Sequence, residues 1–102
     1  MNLPARVLVI GFQRTGQSVA RVLAARGVRV TVVDQRSAAT LGVETAAWSA
    51  IDLRLGEDGL AQLPQVDLVV PSPGVPQSAP LLMAAVGRGV PIQSEIEVAA
   101  GL

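Results

Sequence analysis

Residues 6–16 read Arg6-Val7-Leu8-Val9-Ile10-Gly11-Phe12-Gln13-Arg14-Thr15-Gly16. An aliphatic run without polar alternation fits a strand buried on both faces, and Gly11 marks its end. Beyond it the period changes. Val19, Val22 and Leu23 make one apolar stripe while Gln17 and Arg21 fall on another face, so Thr15 to Arg26 predicts a helix, stopped by Gly27. Val28 to Val33 is again rich in β-branched residues and closes at Asp34. Strand, helix and strand together take about 30 residues, the length of a parallel crossover unit.

The alternation continues outward. Ser37 to Ala50 predicts a short helix or a mobile loop around Gly42 and Trp48. Ile51-Asp52-Leu53-Arg54-Leu55 alternates strictly, which predicts a half-exposed strand near a sheet edge, and Gly56 to Gln65 is a connector. Asp67-Leu68-Val69-Val70 predicts a fourth strand, stopped by Pro71-Ser72-Pro73-Gly74-Val75-Pro76. Ser78 is placed to cap a helix running to about Arg88, with Pro80 in its first turn. Ile92 and Gln93 predict a fifth, short strand before a helix from Glu95 to Ala100. The expected fold is a Rossmann-like, three-layer α/β domain with a five-stranded parallel sheet.

Composition narrows the chemistry. The chain has 102 residues, eight acidic and eight basic, and every cation is Arg; it contains no His, Cys, Tyr or Lys. Without Cys or His there is no thiolate, no nucleophile–imidazole pair, and a zinc site would rest on carboxylates alone. Without Lys there is no Schiff base and no phosphate-loop lysine. Neutral charge and only one Phe and one Trp argue against nucleic acid or an anionic membrane surface as a partner. No apolar run approaches the roughly 20 residues that span a bilayer, and Met1 to Arg6 lacks the features of a secretory leader. The residues lead to three expectations: no catalytic residue, no metal site and a cytoplasmic setting.

Three loops hold the informative residues, all at carboxyl ends of expected strands. Gly11 to Gly16 lies between strand and helix, where a helix N-terminus offers free N–H groups to a phosphate. The dinucleotide fingerprint has glycine where this chain has Gln13, which weighs against NAD or FAD. Glycines that merely permit the turn and close helix–sheet packing are the alternative, against which Thr15 offers a hydroxyl beside the helix terminus. Asp34 closes the second strand where a Rossmann domain places a ribose-binding acid; an acid capping the next turn is the alternative. Arg36 is suited to stacking on a base, meeting a phosphate, or standing as a surface cation. Gly74, in its proline-stiffened loop, suits either close approach of a flat ligand or a rigid turn. Glu95 and Glu97 fit helix-start acids better than an acid–base pair.

Arg-Val-Leu-Val-Ile-Gly-Phe-Gln-Arg-Thr-Gly, Asp-Leu-Val-Val-Pro-Ser-Pro-Gly-Val-Pro and Pro-Ile-Gln-Ser-Glu-Ile-Glu-Val, in this order, resemble the N-terminal domain of the Mur ligases, within them the D-glutamate-adding branch. The resemblance implies an ATP-dependent, amide-forming ligase of peptidoglycan synthesis, whose substrate UDP-N-acetylmuramoyl-L-alanine (UDP-MurNAc-L-alanine) is held here by its UDP end. It implies a diphosphate against Arg14 and Thr15. The uracil is implied near Asp34, Gln35 and Arg36, sandwiched by Arg36 and Gly74, with Gly11, Gly16 and Pro73 shaping the loops. Gln13 departs from a common glycine, and Gln35 from Ser or Thr. ATP and Mg2+ are implied on a central domain, which with a C-terminal domain would be the partner of residues 1–102, a single domain excised from a longer chain and inactive alone. An NAD(P)-binding domain of a small reductase or regulator, and a non-catalytic interaction module, are the alternatives.

Overall fold

In the computed structural model, residues 3–102 are described; Met1 and Asn2, part of the segment read against a secretory leader, lie outside them. β1 (Arg6–Ile10) pairs in parallel on one side with β2 (Arg29–Asp34) and on the other with β4 (Leu68–Pro71), while β3 (Asp52–Leu55) adds to the outer edge of β2. The order is β3-β2-β1-β4. β1 is thus hydrogen-bonded on both edges, and Val7, Leu8 and Val9 are fully buried, which is why its sequence lacks polar alternation.

Successive side chains of each strand serve opposite layers. Val7, Val9, Val30, Val32, Leu68 and Val70 meet Val19 and Leu23 of α1 (Arg14–Ala25) and Val98 of α4 (Glu95–Gly101). Leu8, Val33 and Val69 meet Leu81, Leu82 and Ala85 of α3 (Pro80–Gly87) together with Leu63. Burying a side chain such as Leu23 stabilises by about 2 kcal/mol. The α/β, three-layer expectation holds.

Among the described residues the sheet has four strands, not five. Ile92 makes one bridge to Val69, flanked by Val69 N–H to Pro91 O at 2.9 Å and Gln93 N–H to Val69 O at 3.0 Å. Pro91 has no N–H to extend the ladder, and Ser94 already begins the next helix, so pairing stops after one residue. Ser94 Oγ accepts from Glu97 N–H at 3.1 Å and Glu97 Oε1 accepts from Ser94 N–H at 3.0 Å, a reciprocal cap. Ser78, by contrast, does not cap. α3 starts at Pro80 after Ala79, with no side-chain cap, because Pro at the first helical position leaves one fewer N–H to satisfy.

Between β2 and β3 the ambiguous stretch resolves into α2 (Ala38–Leu41), capped by Ser37, and a single 3-10 turn, Thr45–Trp48. Trp48 is buried against Phe12. β3 lies at the sheet edge as its alternation predicts, and a 3-10 turn, Leu63–Gln65, closes the connector to β4.

Candidate functional site

β1 ends at Gly11, whose φ of +100° suits glycine alone. A Cβ there would lie 2.6 Å from Ser72 Oγ, so the loops after β1 and β4 touch at this point. Gly11 N–H donates to Val33 O at 2.8 Å, and Ser72 N–H donates to Ile10 O at 2.9 Å, which aligns three strand ends. Phe12 then turns its ring into the core, edge-on to Trp48 with centroids 5.0 Å apart, while the Arg21 guanidinium covers Trp48 at 3.7 Å.

Anchoring the ring aims the Phe12 backbone at Asp34. Phe12 N–H donates to Asp34 Oδ2 at 2.9 Å. The Arg36 backbone N–H and Nε donate to Asp34 Oδ1 at 2.8 and 3.0 Å, and Arg36 Nη2 donates to Oδ2 at 2.8 Å. Four donors therefore fill the carboxylate, and two of them come from a planar guanidinium fork. Burial pushes the Asp34 carboxyl up, but the Arg36 side chain and the N–H groups of Phe12 and Arg36 outweigh it and bring the pKa down to about 2. Gly56 N–H caps the arrangement by donating to Asp34 O and Arg36 O at 2.7 and 2.9 Å.

The head of α1 is open. Gln13 occupies the capping position without a side-chain hydrogen bond to the helix, and the first turn carries no acid. Gln17 N–H to Gln13 O, at 2.8 Å, is the bond that begins the helix, so the backbone N–H groups of Arg14, Thr15 and Gly16 at its head have no partner among the described residues. Gly16 permits this close seating, since a Cβ there would lie 2.8 Å from Gly11 O and 3.1 Å from Glu95 Oε1. Such a terminus favours an anion.

A cleft of about 440 Å3 opens along these strand ends. Its walls include Gly11, Gln13, Asp34, Gln35, Arg36 and Gly74. Five of the nine residues singled out from the sequence thus share one cavity or its base. Arg14 and Thr15 stand exposed at the α1 head, one step beyond the wall residue Gln13, and Pro73 is exposed on the loop. Gly16 is buried beneath it.

The sequence reading missed Glu57, Asp58 and Leu60, which line the cleft from the connector after β3. The available signal was topological: a segment leaving the carboxyl end of a parallel strand emerges into the crevice. With two acids on that wall and Arg36 engaged by Asp34, the cleft interior suits a neutral ring with polar edges. The α1 head suits the negative charge. Glu95, expected like Glu97 to be a helix-start acid, does stand at the start of α4 but is buried: it is 1% exposed, has no hydrogen-bond partner on either carboxylate oxygen among the described residues, and is pushed up in pKa by burial.

Comparison with known proteins agrees with this architecture. A family model described as "Mur ligase MurD-like, N-terminal domain" matches residues 5–94. A UDP-N-acetylmuramoylalanine–D-glutamate ligase of Anaeromyxobacter dehalogenans is 47% identical over 96 residues, which cover 93% of this chain and 21% of the relative. Its counterpart in Geotalea uraniireducens is 48% identical over 101 residues, covering 96% of this chain and 22% of the relative. Among solved structures, UDP-N-acetylmuramate-alanine ligase MurC of Thermotoga maritima superposes with a TM-score of 0.71 at 19% identity, over 90% of this chain and 21% of that one. This last likeness is one of fold. The chain spans about a fifth of the length of the relatives it matches.

Proposed function

The chain belongs to the MurD-like N-terminal domains of the Mur ligases, and from that premise we propose that it grips the UDP end of UDP-N-acetylmuramoyl-L-alanine within an ATP-dependent, D-glutamate-adding ligase of peptidoglycan synthesis. The observation that carries this reading is the uncapped head of α1 standing beside the Asp34–Arg36 pair on one crevice. The free N–H groups of Arg14, Thr15 and Gly16 and the positive end of α1 receive the diphosphate. The uracil enters the cleft between the Arg36 guanidinium and the side-chain-free Gly74, with Gln35 at its edge. Asp34 holds Arg36 flat and fixes Phe12, so its contribution is to position other groups as much as to touch the base.

In this reading amide formation takes place on the rest of the ligase. ATP and Mg2+ bind to its central domain, which, with a C-terminal domain, is the partner of this one. The 102-residue chain alone binds and does not catalyse. The same reading places the reaction in the cytoplasm; among the described residues no helix is long and apolar enough to cross a membrane.

Calorimetric titration of the chain with UDP and with NADH tests the proposal. Saturable UDP binding, abolished by Asp34→Ala, is the expected result. Binding of NADH with none of UDP overturns it in favour of a dinucleotide domain.

A further inference from the structure

Gln13 occupies the middle position of the glycine turn, where a dinucleotide site needs glycine so that the pyrophosphate can approach the backbone. Its φ of −100° and ψ of 168° are ordinary extended values, so the side chain sits there without strain. That side chain is uncommitted. It makes no bond to the head of α1 and has no hydrogen-bond partner among the described residues, yet it forms part of the cleft wall.

Its reach is set by Gly74. A Cβ on Gly74 would lie 3.9 Å from Gln13 Nε2, so the carboxamide extends from the loop after β1 toward the loop after β4. Gly74 has no left-handed φ that would demand glycine, and its missing side chain leaves open space beside the Gln13 amide. To one side of Gln13 lie the free N–H groups of Arg14 to Gly16; on the other walls of the cleft lie Asp34 and Arg36. The carboxamide therefore stands at the junction between the place for an anion and the place for a flat ring. In a nucleotide that junction is the sugar. A carboxamide both donates and accepts, which matches a ribose hydroxyl better than a phosphate, which only accepts.

We propose that Gln13 is a specificity-determining residue whose carboxamide hydrogen-bonds the ribose hydroxyls of the bound nucleoside diphosphate across the gap facing Gly74. The inference rests on the UDP reading above. UDP and 2′,3′-dideoxy-UDP are titrated into the 102-residue chain and into its Gln13→Ala variant, with the melting temperature of both proteins measured. Gln13 is exposed, so the melting temperature stays the same. The expected result is a loss of about three- to tenfold in UDP affinity in the variant, the worth of one or two net hydrogen bonds, with the dideoxy analogue bound equally by both proteins. Unchanged UDP affinity in the variant overturns the proposal, and so does an equal loss for both ligands. Absence of saturable UDP binding to the unaltered chain overturns the nucleotide reading itself, a result distinct from either.

Discussion

The backbone N–H of Phe12 donates to the Asp34 carboxylate at 2.9 Å, a bond that fastens the loop after β1 to the end of β2. Twenty-two residues apart in the chain, the two are joined by a buried hydrogen bond. Asp34→Ala leaves that N–H without an acceptor and frees Arg36 from its fork. The expected loss in urea unfolding is about 1–3 kcal/mol, the cost of a stranded buried donor. Asp34→Asn keeps the shape and one acceptor, so it should lose less stability. Equal stability of Asp34→Ala and the unaltered protein would refute the role given to this bond.

The same carboxylate sets an acid limit. A carboxyl whose pKa falls from 3.8 to about 2 on folding stabilises the native state above its unfolded value. That stability, about 2 kcal/mol, is lost as pH drops from 4 through 2. Urea midpoints measured across this window should fall more steeply for the unaltered chain than for Asp34→Asn, which cannot titrate at this position.

Gly11 and Gly74 separate two uses of glycine in one site. Gly11→Ala forces a side chain into φ of +100° and against Ser72 Oγ, and should destabilise by about 2 kcal/mol or more. Ser72→Gly removes the contact but not the backbone strain, so it rescues only part of the loss. Gly74→Ala meets nothing closer than 3.9 Å and leaves stability within about 0.5 kcal/mol. On the proposed UDP reading it should instead weaken UDP binding, by crowding the face assigned there to the base. A Gly74→Ala protein that melts early but binds normally would reverse this assignment.

How much of this was legible beforehand follows from the range of each signal. The β1–α1–β2 unit was readable because Val7 to Ile10 and the Val19–Leu23 stripe record local periods with both faces buried. Asp34 was readable as a strand-end acid; its four donors were not, since Phe12 N–H reaches it only after Trp48, from a segment without clear periodicity, anchors the Phe12 ring. Ile92 has the β-branched character of a strand residue, but its pairing length depends on Pro91 and on a helix cap two residues later at Ser94. Ser78 and Ser94 look alike in the sequence. Pro80 decides the first, by supplying a helix start that needs no hydroxyl, and Glu97 decides the second, by reciprocating. The cleft wall at Glu57 and Asp58 needed the sheet order, which no local pattern encodes.

Glu95 supplies the opposite pH dependence. Both its carboxylate oxygens are buried beside Gly16 without partners among the described residues, and burial raises its pKa above 4.5. A carboxyl with a raised native pKa favours the folded state at low pH and withdraws that support as pH rises through its native value. Glu97, two residues on, is exposed and bonded to the Ser94 N–H, so the burial is particular to Glu95 and not common to the helix start. Glu95→Gln keeps the volume and removes the charge. Its melting temperature should match that of the unaltered chain near pH 4, below the ordinary carboxyl value, and exceed it at pH 8, where the buried carboxyl of the unaltered chain is driven to ionise. Thermal melts at the two pH values decide the matter. A constant difference between the proteins would mean that the Glu95 carboxyl does not titrate on unfolding, and that its burial is compensated by a donor supplied from solvent.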